Sequence, residues 1–233
     1  MTATNLNLMA SEIAEIRSYT KLHPELSTCH HFQYDLPLAA TPDLQNSGDK
    51  RTCLMLGINP GESAPDTTVA WPTEETSEFD FHDQLVGRES IRWTQKVRKI
   101  LPTMRVWQSQ LFFWSSKDRD QLKDRLGSDI ERSPHLAWCT DRNLALIQKR
   151  QPDIVILAGM TKRETASRLF HLEVMGEPIF RRNGKDRLVV KLTDGHRPWL
   201  VIAHLTSAHP PLNEDEEAQV RLAIDELVPL PTK

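Results

Sequence analysis

The chain has 233 residues, 39% of them hydrophobic and 26% charged. That balance fits a soluble globular protein with room for one good-sized α/β domain or two small ones. No apolar run approaches the roughly 20 residues of a membrane span, and residues 1–10 lack the basic start and apolar core of a secretory signal. Three widely spaced cysteines, Cys29, Cys53 and Cys139, make neither a disulfide framework nor a zinc or iron–sulfur set. They read as reduced thiols of a cytoplasmic protein. Cys29-His30-His31 lacks a second ligand pair at suitable spacing and is read as a loop, so no metal is expected. The net charge of −3 hides an uneven distribution: residues 1–86 and 192–233 are acidic, whereas 87–132 and 142–191 are basic. Such a middle section can form a face that tracks phosphates, or its charges can intermix with the rest on the surface.

In chain order, Leu8, Met9, Ile13, Ile16 and Tyr19 fall at helical spacing and predict an amphipathic helix over 8–22, starting near Asn7 or Ser11. A polar connection follows Pro24. Residues 51–56 read as a short buried strand that runs into the turn Gly57, Ile58, Asn59, Pro60, Gly61. A long Pro/Asp/Glu/Thr-rich loop covers about 62–83, of a length usually functional or mobile. A basic helix is expected over 88–101, a second buried strand over 105–114, and an exposed helix or insertion over 117–132. A helix over 141–149 leads into 153–159, the clearest parallel-type strand in the chain. A helix over 161–170 and strands over 187–192 and 199–203 come next. Asn213 is expected to cap a last helix to about Leu227, with Asp215 and Glu216 in its first turn. Strands alternating with helices predict an α/β fold, a three-layer sandwich with a mainly parallel central sheet. Ligands of such sheets bind beyond the carboxyl ends of the strands. Four segments therefore become candidates: 57–61, 114–117, 159–162 and 204–211.

Two of these carry chemistry. In 57–61, glycines let the backbone turn tightly beside a bound ring, Pro60 stiffens the turn, and the Asn59 amide can orient a water molecule. The dinucleotide-binding glycine spacing is absent. Taken alone the stretch is as readily an ordinary turn as a site. In 204–211, His204 and His209 share a small, proline-stiffened loop directly after a strand.

Together these stretches resemble the uracil-DNA glycosylase superfamily, and most closely its mismatch-specific uracil/thymine branch. Residues 51–61 are similar to that branch's first motif, with its Gly-Ile-Asn-Pro-Gly turn. His204-Leu-Thr-Ser207 falls where the superfamily has its last motif, often His-Pro-Ser, with Leu205 replacing the usual proline. Residues 152–159 resemble the central strand. Order and approximate spacing agree from about Arg51 to Leu212, leaving 1–50 and 117–132 uncovered. The organisation implied is an N-terminal helix and connection over 1–50 and a glycosylase-like domain over 51–233, one structural unit overall.

The resemblance implies a monofunctional DNA glycosylase that flips a pyrimidine nucleotide, hydrolyses the N-glycosidic bond and leaves an abasic site. Asn59 would position the attacking water, and His204 would donate to a carbonyl of the departing base. Gly57, Ile58, Pro60, Gly61, Ser207 and His209 would line the substrate site. His209 remains an alternative to His204. Trp71, twelve residues after Asn59, is either the aromatic on which the base stacks or a loop anchor. The loop 208–212 would fill the gap in the duplex. Gln110 stands where uracil-reading relatives often carry Asn, so it either reads a different base or is structural. The four cysteines of the iron–sulfur branch are missing, and no cofactor is implied. The expected partner is DNA, as a duplex with a flipped nucleotide or as a single strand, with no membrane and a monomeric protein. Rival readings are a glycosylase for a modified base in foreign (phage) DNA, a catalytically silent nucleic-acid-binding module, and a nucleotide or nucleoside hydrolase unrelated to DNA.

Overall fold

A computed structural model describes residues 14–26, 51–58, 96–97, 99–102, 104–114, 116, 119–159, 163–182, 185–202 and 212–230. Three uninterrupted apolar runs form its centre: β1 (Thr52–Gly57), β3 (Ile154–Ala158) and β7 (Pro198–Ile202). Their interior residues are buried, as expected of strands covered on both faces. β2 (Arg105–Gln110) lies at one edge. Beyond β7 come β6 (Lys185–Thr193) and then β4 (Glu173–Val174), and β5 (Phe180–Arg182) also pairs with β6. The seven-stranded sheet runs β2-β1-β3-β7-β6-β4. The first four strands are mutually parallel; β6 is antiparallel to β7, and β4 and β5 are antiparallel to β6. The chain thus has an α/β fold on a mixed sheet.

Side-chain alternation along the strands feeds two separate cores. Leu54, Leu56, Val155, Leu157, Trp199 and Val201 join one cluster. To it contribute Ile16 of α1 (14–22), Leu122 of α2 (Arg119–Leu126), Cys139 and Leu146 of α3 (Pro134–Arg150) and Phe170 of α4 (Arg163–Phe170). Cys53, Met55, Ile154, Ile156, Leu200 and Ile202 join the other, with Val97, Ile100 and the Val220 and Ile224 of α5 (Glu214–Leu227). Burial pushes the Cys53 and Cys139 thiols above their ordinary range. None of the described helices is long and apolar enough to cross a membrane.

Several boundaries differ from the sequence expectation for identifiable reasons. β2 stops at Gln110 rather than Trp114. Phe112, Phe113 and Trp114 all enter the same core cluster, whereas a strand sends alternate side chains to opposite faces. The segment following β2 is therefore 111–116, not 114–117. α3 begins at Pro134 rather than near Asp141. Ser133 caps it, accepting from His135 N at 3.2 Å, and Pro134 at the first helical position is preset for the turn. The charged stretch 117–132 contains α2 and a 3-10 turn at Ile130–Arg132, and Leu122 and Ile130 bury into the first core. At the last helix the expectation holds in detail. Asn213 Oδ1 accepts from Glu216 N, and the Glu216 carboxylate accepts from Asn213 N, a complete capping box.

Candidate functional site

The parallel register brings four carboxyl ends into one row. Gly57 pairs with Gln110, Leu56 with Leu157, and Ala158 with Ile202. The chain leaves β2, β1, β3 and β7 side by side on the edge where ligands of such sheets bind.

At this edge Gln110 lies across Gly57. A Cβ on Gly57 would stand 2.3 Å from Gln110 Oε1 and 3.1 Å from its Cδ. Gly57 is thus a glycine because an amide occupies the space of a side chain. Gln110 is buried, and its Oε1 has no hydrogen-bond partner among the described residues. Its main chain, by contrast, is held firmly. The fully buried Asn143 of α3 donates from Nδ2 to Gln110 O at 2.9 Å and accepts from Ser109 Oγ at 3.0 Å. Past the strand end, Leu111 N donates to Gly57 O and Phe112 N to Ile58 O, at 2.7 and 2.8 Å. A fixed backbone therefore carries a buried side-chain amide oxygen with no hydrogen-bond partner among the described residues.

Ile58 sits beside this amide and is 37% exposed. It packs over Gly159, where an added Cβ would meet the Ile58 side chain at 3.2 Å. Gly159 also needs its φ of +87° to end β3, and its N–H donates to Ile202 O at 2.8 Å. The described floor of the site is thus uncharged, formed by Gly57, Ile58, Gln110 and Gly159.

Of the sequence-derived site residues, Gly57, Ile58 and Gln110 come together here. Asn59, Pro60, Gly61, Trp71, His204, Ser207 and His209 lie outside the described residues. The strands that lead to the catalytic candidates end two residues before them, at Gly57 and Ile202, with β3 between. At about 4.8 Å per strand spacing, those two ends stand roughly 10 Å apart.

Sequence reasoning missed three groups of supporting residues. Asn143 looked like one more polar helix position, although its neighbours Leu146 and Ile147 mark that helix face as buried. Lys96 and Glu217 give no signal in the sequence beyond their charge. Lys96 Nζ donates to Leu212 O at 2.7 Å and pairs with the buried Glu217 carboxylate, with Lys99 Nζ 3.9 Å from the other oxygen. Leu212 directly follows the segment carrying His204, Ser207 and His209, so this pair anchors its far end. Finally, the groups able to hold a metal ion, His23, Glu25 and His135, lie at the start of α3 and beside α1. Burial draws the His135 imidazole below its ordinary pKa, with Glu25 pulling the other way.

A cleft of about 150 Å³ lined by Arg51, Met104, Arg221 and Asp225 opens at the amino end of β1, the edge opposite the strand ends. Arg51 is bound there to Asp225 Oδ1 and Val228 O, so the cleft stands apart from the row of strand ends. Comparison of the sequence with protein-family models and with curated proteins found no match.

Proposed function

We propose that this chain is a monofunctional DNA glycosylase of the uracil-DNA glycosylase type, hydrolysing the N-glycosidic bond of a flipped pyrimidine. The proposal includes a three-layer arrangement with the parallel strands at its centre, a monomer acting inside the cell, and DNA as partner. The observation that carries it is the buried Gln110 side-chain oxygen across Gly57, unpaired among the described residues, in the same row of strand ends from which the chain departs to Asn59 and His204.

Each group has a task under this reading. The Gln110 Oε1 accepts from an N–H on the edge of the base, with Ile58 as an apolar wall. Asn59 orients a water toward the sugar carbon. As the bond to the base breaks, negative charge spreads onto the base carbonyl, and His204 donates to it. A preorganised donor of this kind is typically worth about 3–4 kcal/mol. The described floor carries no charge that would compete with either interaction. Gln110 in place of the usual Asn favours a base other than plain uracil, so a modified base in foreign DNA is the second reading.

The test incubates the protein with duplexes carrying uracil, thymine mispairs or modified cytosines, then cleaves abasic sites with alkali. Base release should fall strongly in Asn59→Ala and His204→Ala while DNA binding persists, because the loss lies in the chemical step. Binding without release on every duplex would replace the proposal with a silent binding module. Release from free nucleosides alone would make it a nucleoside hydrolase.

A further inference from the structure

We infer that His23, Glu25 and His135 form a site for a zinc-class divalent cation that joins the N-terminal helix to the start of α3. The inference is independent of the glycosylase reading.

The geometry is that of a partly closed tetrahedron. His23 Nδ1 lies 3.4 Å and His135 Nε2 2.9 Å from the same Glu25 oxygen. All three ligand atoms fall within 4.8 Å of one another. A tetrahedral zinc bonds such atoms at about 2.0–2.2 Å, which separates them by about 3.4 Å. Two of the three edges are therefore within about half an ångström of that spacing, and the third, between His23 and His135, is no longer than 4.8 Å. Two imidazoles directed at one carboxylate oxygen can each bring a proton, or one ion can replace both protons.

The backbone prepares the three donors. Pro24 starts a one-turn 3-10 helix, Pro24–Leu26, that sets His23 and Glu25 on one side while Leu26 buries completely. His135 occupies the second position of α3, fixed by the Ser133 cap. Its other ring nitrogen, Nδ1, is 3.0 Å from Tyr19 OH. Metal-bound histidines almost always have that second nitrogen held in this way. Tyr19 itself is clamped, stacked on Trp138 at 4.0 Å and tilted against His23 at 4.2 Å. The His135 ring is buried, while Glu25 is 42% exposed in its side chain. Three protein ligands with one face toward solvent leave the fourth position for water or a further ligand. Imidazole and carboxylate together suit zinc, and nickel or cobalt as substitutes.

The site is placed to affect the strand-end edge. His135 lies eight residues before Asn143 along α3, about 12 Å, and Asn143 holds Gln110. Trp114, in the segment that leaves β2, packs edge-on to His135 and donates to Thr20 of α1. A bound ion would tie α1, this segment and α3 together.

The experiment titrates untagged, metal-stripped full-length protein with zinc, by calorimetry and by thermal unfolding. One equivalent should bind, and the unfolding midpoint should rise with zinc concentration, as for any ligand that binds only the folded state. His23→Gln and Glu25→Gln, both at partly exposed positions, should fold with the wild-type midpoint in chelator and lose zinc affinity at least about 100-fold. Tyr19→Phe should lose about 10–100-fold, the usual effect of removing an outer partner. Absence of stoichiometric binding in wild type would overturn the inference. So would binding that survives His23→Gln and Glu25→Gln together.

Discussion

A methyl group added at Gly57 tests the description of the strand-end edge. The backbone of Gly57 is ordinary strand, so Ala there should gain about 0.4–1 kcal/mol from a less flexible unfolded chain. Against that, its Cβ would stand 2.3 Å from Gln110 Oε1, 3.1 Å from Cδ and 3.3 Å from Nε2. Neither strand can give way easily. The main chains are joined by Leu111 N to Gly57 O, and Asn143 holds Gln110 O from the other side. The Gln110 side chain must leave its place, at the cost of about 1–3 kcal/mol typical of overpacking. The net expectation for Gly57→Ala is a loss of about 1–2 kcal/mol. In a Gln110→Ala background the obstruction is gone, and the same change should be neutral or slightly stabilising. The coupling between the positions is then about 2 kcal/mol. Urea unfolding of the four proteins measures it directly. Additive effects within about 0.5 kcal/mol would show that Gln110 does not lie across Gly57, and the acceptor assigned to the ligand would be misplaced.

Other expectations follow from single contacts. Among the described residues, Lys96→Met leaves the buried Glu217 carboxylate with only the more distant Lys99; unfolding should show a loss of about 3 kcal/mol, the low end for a broken buried pair. Glu217→Gln together with Lys96→Met should recover part of it. Asp194 turns the chain between β6 and β7, accepting from His196 N, Arg197 N and Trp199 Nε1. Burial alone would raise its pKa, but these donors and the Arg197 charge outweigh burial and hold the carboxyl below its ordinary 3.8. A depressed acid stabilises the fold above its unfolded pKa and loses that contribution as pH falls through the folded one. Asp194→Asn should therefore cost about 1–2 kcal/mol at neutral pH, and the gap to wild type should shrink as pH drops below about 3.8. In Gln110→Asn the shorter amide should shift base preference toward uracil in a competition assay; an unchanged ranking would make Gln110 structural. A thiol reagent should leave Cys53 and Cys139 unmodified in a folded Cys29→Ser protein, because both are fully buried with thiols held protonated.

The features legible in the sequence are those whose signal is local. The runs in β1, β3 and β7 announce strands buried on both faces, and Asn213 with Glu216 announces a helix start through hydrogen bonds three residues apart. Gln110, picked out by its place before the middle loop, does end β2 beside Gly57. What stayed hidden depends on partners distant in the chain. Phe112 to Trp114 look like more strand until one knows that one core takes all three rings. β4 and β5 are short and lack an apolar pattern, since β4 is exposed on both faces. Asn143 gains meaning only once α3 packs against the end of β2. His135 cannot be joined to His23 and Glu25 by spacing, because only folding brings α1 and α3 together, through the aromatic cluster around Tyr19 and the Arg142–Glu15 pair.

The neutrality of the strand-end floor bears on how a site there would discriminate. A charged group attracts many ligands over a distance and is screened by salt. A single buried carbonyl oxygen does neither. It leaves a ligand that brings an N–H roughly even, since one hydrogen bond replaces another made in water, and it penalises a ligand that cannot donate by about 1–3 kcal/mol. Under the proposed reading, selectivity at Gln110 would arise mostly from rejection, and rejection requires that the amide cannot turn away from a wrong ligand. The close approach to Gly57 restricts that turn directly, while the Asn143 bond to the Gln110 main-chain oxygen and the Ser109 bond to Asn143 fix the backbone from which the side chain projects. Loosening any of the three contacts should relax base preference before it lowers the rate on the preferred base.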